Sequence, residues 1–154
     1  MKSAISISEK FLRIAKSEDR VITPLGIGKY VYLANGIHLA RHGISLVEEE
    51  LEAWIFGPVW PTVFNKYSRY GTKPILNIDS TKSEEIFDLD ESESIEMAWK
   101  TAKDVSEYQL SIWSHDKFSP WKKSYKSNSK EKIPNHVIKE YFENHMKILP
   151  VDEK

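Results

Sequence analysis

The chain has 154 residues, with 40% apolar and 29% charged side chains and a formal charge of −1, as expected of one compact soluble domain with a single core. That balance leaves no surplus of Lys and Arg to displace phosphate counterions, so direct nucleic-acid binding is not expected. The absence of cysteine excludes disulfides, thiolate metal sites and cysteine nucleophiles and fits a cytoplasmic protein. No apolar run approaches the roughly 20 residues that span a bilayer, so no membrane association is expected, and Met1 to Ser6 has no signal-peptide pattern.

Ser6-Ile7-Ser8-Glu9 has capping-box spacing, with a start at Ser3 as the alternative, and Ile7, Phe11, Ile14 and Ala15 share the face of a first helix. Thr23-Pro24 opens a second helix that should run to about His42 and stop at Gly43. Its apolar residues cover most of the circumference, which predicts the central helix. Gly26, Gly28 and Gly36 weaken it unless close packing compensates. Leu46 to Ile55 suits a small hairpin, although Glu48, Glu49 and Glu50 also fit a helical turn. Gly57 and Pro58 open a tight corner, Pro61 starts a short helix with Val63, Phe64 and Tyr67, and Gly71 closes it.

Thr72 to Leu89 reads as a long loop. Asp90, with Glu93 three residues on, is the expected cap of a helix bearing Ile95, Ala98, Trp99 and Ala102. Ser106 caps a short helix through Leu110 and Trp113, Ser119-Pro120-Trp121 begins another turn, and Lys126 to Lys132 is a polar loop. Pro134 opens a final helix with Val137, Ile138, Tyr141, Phe142 and Met146 on one side. The whole reads as mainly α: a helical bundle around a central helix, with at most a small β-hairpin.

Several residue groups invite a chemical reading. His38 and His42 stand at i and i+4, the spacing of two metal ligands on one helix face, yet Leu39 takes the place of the zincin glutamate, and cations are favoured in a last helical turn anyway. Ser114-His115-Asp116 has the residue types of a hydrolase triad without a glycine-flanked nucleophile turn. A small hydrolase or metal-dependent enzyme using His38, His42 or His115 is therefore one alternative function. A nucleic-acid-linked regulator built on Lys122 to Lys132 is another. Neither selects a catalytic, cofactor or metal residue. Charge is uneven: Asp79 to Glu96 holds eight acids against Lys82 alone, whereas Met97 to Ile148 holds ten lysines and six acids. The acidic block reads as a solvated loop or as a strip facing a partner.

Four pieces in order carry a resemblance. They are Thr23-Pro24-Leu25 with Lys29, Tyr32, Ala34 and His38-Leu39; the block Glu52-Ala53-Trp54 through Gly57, Pro58 and Pro61 to Gly71; Leu110-Ser111 leading to Ser114-His115 and Pro120-Trp121; and Ile133-Pro134 with Ile138 and Tyr141-Phe142. Together they resemble the Panacea (SocA-like) antitoxin domain, which also occurs in phage-associated proteins. The chain departs from that pattern at Gly26, Gly28, Trp60 and Trp113. The resemblance implies one mainly helical domain over residues 1–150, with 151–154 as a tail. It implies an antitoxin that neutralises a cognate protein toxin by stoichiometric binding, with no reaction and no cofactor, and it admits a protease that assists neutralisation. The surfaces then expected to meet the toxin are an acidic strip with Glu84, Glu85 and Asp88, and the corner bearing Trp60 with Glu48, Glu49 and Glu50. Trp60 qualifies as an anchor if it stays exposed.

Overall fold

Helix α1 (Ala4–Ser17) takes Ser3, not Ser6, as its N-cap: Ser3 Oγ accepts the Ser6 N–H at 3.0 Å. Its Ile7, Phe11, Leu12 and Ala15 are buried. Helix α2 (Pro24–His42) begins and ends where the Thr23-Pro24 pair and Gly43 predict. Thr23 does not cap it through its own side chain. Instead the Glu107 carboxylate accepts the Thr23 N–H at 3.1 Å and also the Thr23 hydroxyl, which sets negative charge at the positive end of the helix dipole. The computed structural model describes residues 1–78 and 84–151, so Asp79, Lys82 and most of the predicted tail lie outside the described residues.

The expected hairpin forms further along the chain. Leu46 and Val47 do not join the hairpin: Val47 pairs with Lys2 through a parallel bridge, and Asn35 of α2 accepts both of their N–H groups at its Oδ1. Strands β1 (Glu52–Trp54) and β2 (Gly57–Val59) pair antiparallel with Trp54 opposite Gly57, leaving Ile55 and Phe56 as a two-residue turn. Gly57 and Pro58 thus belong to a strand rather than to the corner itself. Gly57 holds φ +124, and Pro58 is tolerated because β2 is an edge strand.

Helix α3 (Pro61–Tyr67) starts at the predicted proline and passes through a 3-10 turn, Ser68–Tyr70, to Gly71. Helix α4 (Leu89–Ala102) starts earlier than Asp90: Asp88 accepts the Glu91 N–H at 2.8 Å, and Glu91 accepts the Asp88 N–H at 2.9 Å. The box lies two residues upstream of the expected one, and Glu91, not Glu93, is the acid buried beneath Lys2. Helix α5 (Glu107–Ser114) follows its Ser106 cap as predicted, and α6 (Pro120–Ser124) begins at the expected Ser119-Pro120-Trp121, where Ser119 Oγ accepts the Lys122 N–H. Strand β3 (Glu131–Lys132), which the polar loop concealed, pairs with β1 to give the order β2-β1-β3. Helix α7 (Asn135–Asn144) then returns to α2.

Buried over most of its length, α2 is the hub on which α1, α3, α4, α5 and α7 pack. Gly36 is what lets α7 approach: a Cβ there would lie 2.1 Å from the Phe142 ring. Among the described residues the architecture is seven helices and one small sheet, and no helix is long and apolar enough to cross a membrane.

Candidate functional site

Leu25, Gly28 and Lys29 share one face of α2, because residues three and four apart align along a helix. Between that face, α3 and β2 lies a groove of about 460 Å³, walled by Pro58, Trp60, Val63 and Phe64. No Cβ rises from Gly28, and a Cβ placed there would meet nothing within 4 Å. Trp54 of β1 packs edge-on against Phe64 at 5.0 Å between ring centroids, which fixes the hairpin to α3. The hairpin tip then carries Phe56, 81% exposed, with Phe64 at 48% and a half-exposed Leu25 around the same opening.

The floor is unlike the walls. Lys29 is only 8% exposed, and its Nζ donates to the Pro58 carbonyl at 3.1 Å. Burial pushes its ammonium down to about 8, and no neighbouring carboxylate offsets that effect, because desolvation penalises the charged form. Among the described residues the Trp60 Nε1 is also buried without a hydrogen-bond partner. Tyr67 lines the groove as well, and burial, with Glu9 nearby, pushes its hydroxyl well above the usual range. Among the described residues the groove has no carboxylate or imidazole in its lining. Its chemistry is therefore that of apolar surface with hydrogen-bond donors beneath, suited to binding.

The residues singled out from sequence do not gather in one place. Trp60 is 2% exposed, so it is a wall of the groove, beside Pro58 and Val63, and not an exposed anchor. Glu49 accepts the Ala4 N–H at 2.9 Å and the Thr62 hydroxyl at 2.8 Å, Glu50 pairs with Lys132 at 2.6 Å, and Glu48 is exposed. Glu84 lies 3.6 Å from Lys10, Glu85 is exposed, and Asp88 is spent on the cap of α4. The α4 acids meet the C-terminal end of α2, where His42 lies 4.0 Å from Asp90. The groove lies at the other end, roughly 20 Å away at 1.5 Å per residue.

The groups that suggested chemistry have structural roles. His38 Nδ1 is 2.8 Å from Ser94 Oγ, and its ring lies 4.7 Å from that of His42; burial and His42 together push its pKa down. Among the described residues no cluster of three His, Cys, Asp or Glu side chains completes a metal site. Ser114 donates to the Ser111 carbonyl, Asp116 accepts the Phe118 N–H, and the His115 ring packs against Trp121. These three residues do not hydrogen-bond to one another. Trp121 donates to the Trp54 carbonyl and ties α6 to the sheet.

A model of the family described as antitoxin SocA-like, Panacea domain, matches residues 27–122. The chain belongs to the SocA-like antitoxin family. Antitoxin SocA of Caulobacter vibrioides (strain NA1000 / CB15N) is 34% identical over 127 residues, which cover 77% of this chain and 68% of that protein. No solved structure matches. Membership supports an antitoxin role and, in general, a cognate toxin as partner. Every lining residue of the groove except Pro24 and Leu25 falls within the matched SocA-like segment. The block from Glu52 to Gly71, which carried the resemblance, builds two of its walls.

Sequence reasoning noted Lys29 only as part of the resemblance and did not single out Phe56 for the partner surface. A lysine within the apolar first half of a helix expected to be buried all round was the available signal, since lysine is almost never fully buried without a partner.

Proposed function

We propose that this chain neutralises a cognate protein toxin by direct, stoichiometric binding, without catalysis or a cofactor, and that the toxin docks over the groove between α2, α3 and the hairpin. The observation that carries this reading is Phe56, 81% exposed at the tip of a turn, beside an apolar groove bordered by Phe64 and Leu25. Aromatic side chains around a pocket are the usual carriers of interface energy, and a stable complex needs about 800 Å² from each partner, more than the groove alone supplies. The hairpin and α3 surfaces around it provide the rest.

The functional unit extends beyond the matched residues 27–122 to about residues 1–150, because α1 and α7 cover faces of α2 that would otherwise be bare. Its setting is the cytoplasm, in keeping with a chain that lacks cysteine.

The test is titration of the purified chain with the toxin encoded beside it, paired with growth rescue in cells. Phe56→Ser and Gly28→Leu should each weaken binding at least ~10-fold while the melting temperature holds, since Phe56 is exposed and Gly28 opens onto empty space. Wild-type affinity in both variants would place the toxin on another face. Rescue in cells with no inhibition by purified chain would replace simple binding by a protease-assisted route.

A further inference from the structure

We infer that the toxin segment seated in this groove carries a carboxylate that pairs with Lys29, flanked by apolar side chains that cover Leu25, Phe56 and Phe64. The inference rests on the docking face proposed above and names the chemistry of what enters it. Lys29 Nζ has three N–H groups and gives one to the Pro58 carbonyl, so donors remain on the groove floor. Among the described residues its amine gains nothing from a neighbouring negative charge, and the groove lining has no acidic residue. A cation held under apolar walls without a counter-ion is stabilised by whichever anion arrives and becomes desolvated with it.

The walls narrow the choice of anion. A neutral backbone carbonyl would leave the ammonium uncompensated. A phosphate dianion would need several donors, and a single buried lysine leaves its second charge in an apolar cleft. One carboxylate on one lysine balances. Gly28, where a Cβ would meet nothing within 4 Å, leaves room above Lys29 for an acidic side chain between two apolar ones on a helix or strand of the partner.

Pairing also sets the pH dependence. The free amine titrates near 8, and a bound carboxylate raises that value, so the protonated form is the one that binds. Affinity should be flat from about pH 6, above the partner carboxylate's own titration, to pH 8, and fall about 10-fold per unit above that until the bound amine itself titrates.

Two probes separate this inference from the docking reading. The first is the small arylcarboxylate 4-phenylbutyrate with its neutral amide as control, followed by NMR at the Trp60 indole N–H. The carboxylate should shift that signal and bind at least ~10-fold better than the amide at pH 7, and the preference should vanish in Lys29→Met and at pH 9.5. The second is calorimetry with the neighbouring gene's toxin against wild type, Phe56→Ser and Lys29→Met. Loss of affinity in both variants, with the pH dependence gone in Lys29→Met, is the expected result. Loss in Phe56→Ser with wild-type affinity in Lys29→Met would keep the docking face and overturn the carboxylate pairing. Unchanged binding in both would overturn the two together. Concentration-dependent dimerisation of the chain alone, abolished by Phe56→Ser, would assign the groove to a second copy. Tight 4-phenylbutyrate binding that leaves toxin affinity unaffected would assign it to a free carboxylate.

Discussion

At Lys29 the fold gives up stability. Its pKa is about 8 in the folded chain against an ordinary 10.5, so below pH 8 the folded state holds a charge that the unfolded chain solvates better. The shift corresponds to about 3 kcal/mol at neutral pH. The sign follows from proton counts: between pH 8 and 10.5 the unfolded chain binds more protons, so stability rises with pH across that window as the folded amine becomes neutral. Lys29→Met keeps the buried stem and removes the charge, at the loss of one hydrogen bond worth about 1 kcal/mol. It should stabilise the protein by roughly 1–2 kcal/mol at pH 7, with the gain shrinking above pH 8; denaturant melts at pH 7 and 10 measure this. Gly57 is a second strained position. Its φ of +124 disfavours any side chain, whereas a Cβ would find its nearest neighbour, His115 Nδ1, at an ordinary 3.5 Å. Backbone strain and not a clash should therefore make Gly57→Ala cost about 1–3 kcal/mol. An unchanged melting temperature would show that the hairpin tolerates the residue.

At the scale of elements, α4 and its cap decide how the acidic strip can be tested. Asp88 and Glu91 close a reciprocal box at the start of a helix that packs Ile95, Ala98 and Trp99 in the core. Asp88→Ala should lose about 1 kcal/mol of stability with no direct effect on the toxin. Glu84 and Glu85 precede the cap, and Glu84 makes a surface contact to Lys10, a kind of pair worth little. Charge reversal at Glu84 and Glu85 together should leave stability within about 0.5 kcal/mol. If the strip steers a basic toxin, the same double variant should slow association at low salt and leave dissociation unchanged. Stopped-flow rates at two salt concentrations decide it, and equal association rates would remove the strip from the encounter surface.

For the whole molecule, α2 separates two surfaces. Its N-terminal end carries the groove, and its C-terminal end carries His42, Arg41 and the α4 acids, with Arg41 3.4 Å from Glu93. A partner of ordinary size reaches either end, and one that reaches both must span the bundle. The groove also depends on the bundle being assembled. Lys29 comes from α2, the Pro58 carbonyl from β2, and Trp60 from the joint between β2 and α3. The sheet in turn is anchored by the Trp121 bond to Trp54 and by the pairing of β3 with β1.

By itself the sequence determined the elements whose signals are local. The Thr23-Pro24 start, the Gly43 stop, the Pro61 helix, and the Ser106 and Ser119 caps each need only a few neighbouring residues, and the apolar girth of α2 is a property of one helix. The tertiary structure decided everything that depends on a distant partner. Leu46 and Val47 pair with Lys2 and Asn35 and not with the next strand, Glu131 and Lys132 become a strand because β1 offers an edge, and α4 takes Asp88 as its cap, with Glu91 drawn in beneath Lys2. Trp60 shows the limit most clearly. Its place between two prolines left open whether it was a packing residue or an exposed anchor; packing buries it and leaves Phe56, an unremarked turn residue, at the surface. Burial is a sum over neighbours far apart in the chain, and the same sum turns Lys29 from one residue of a helix into a cation without a counter-ion.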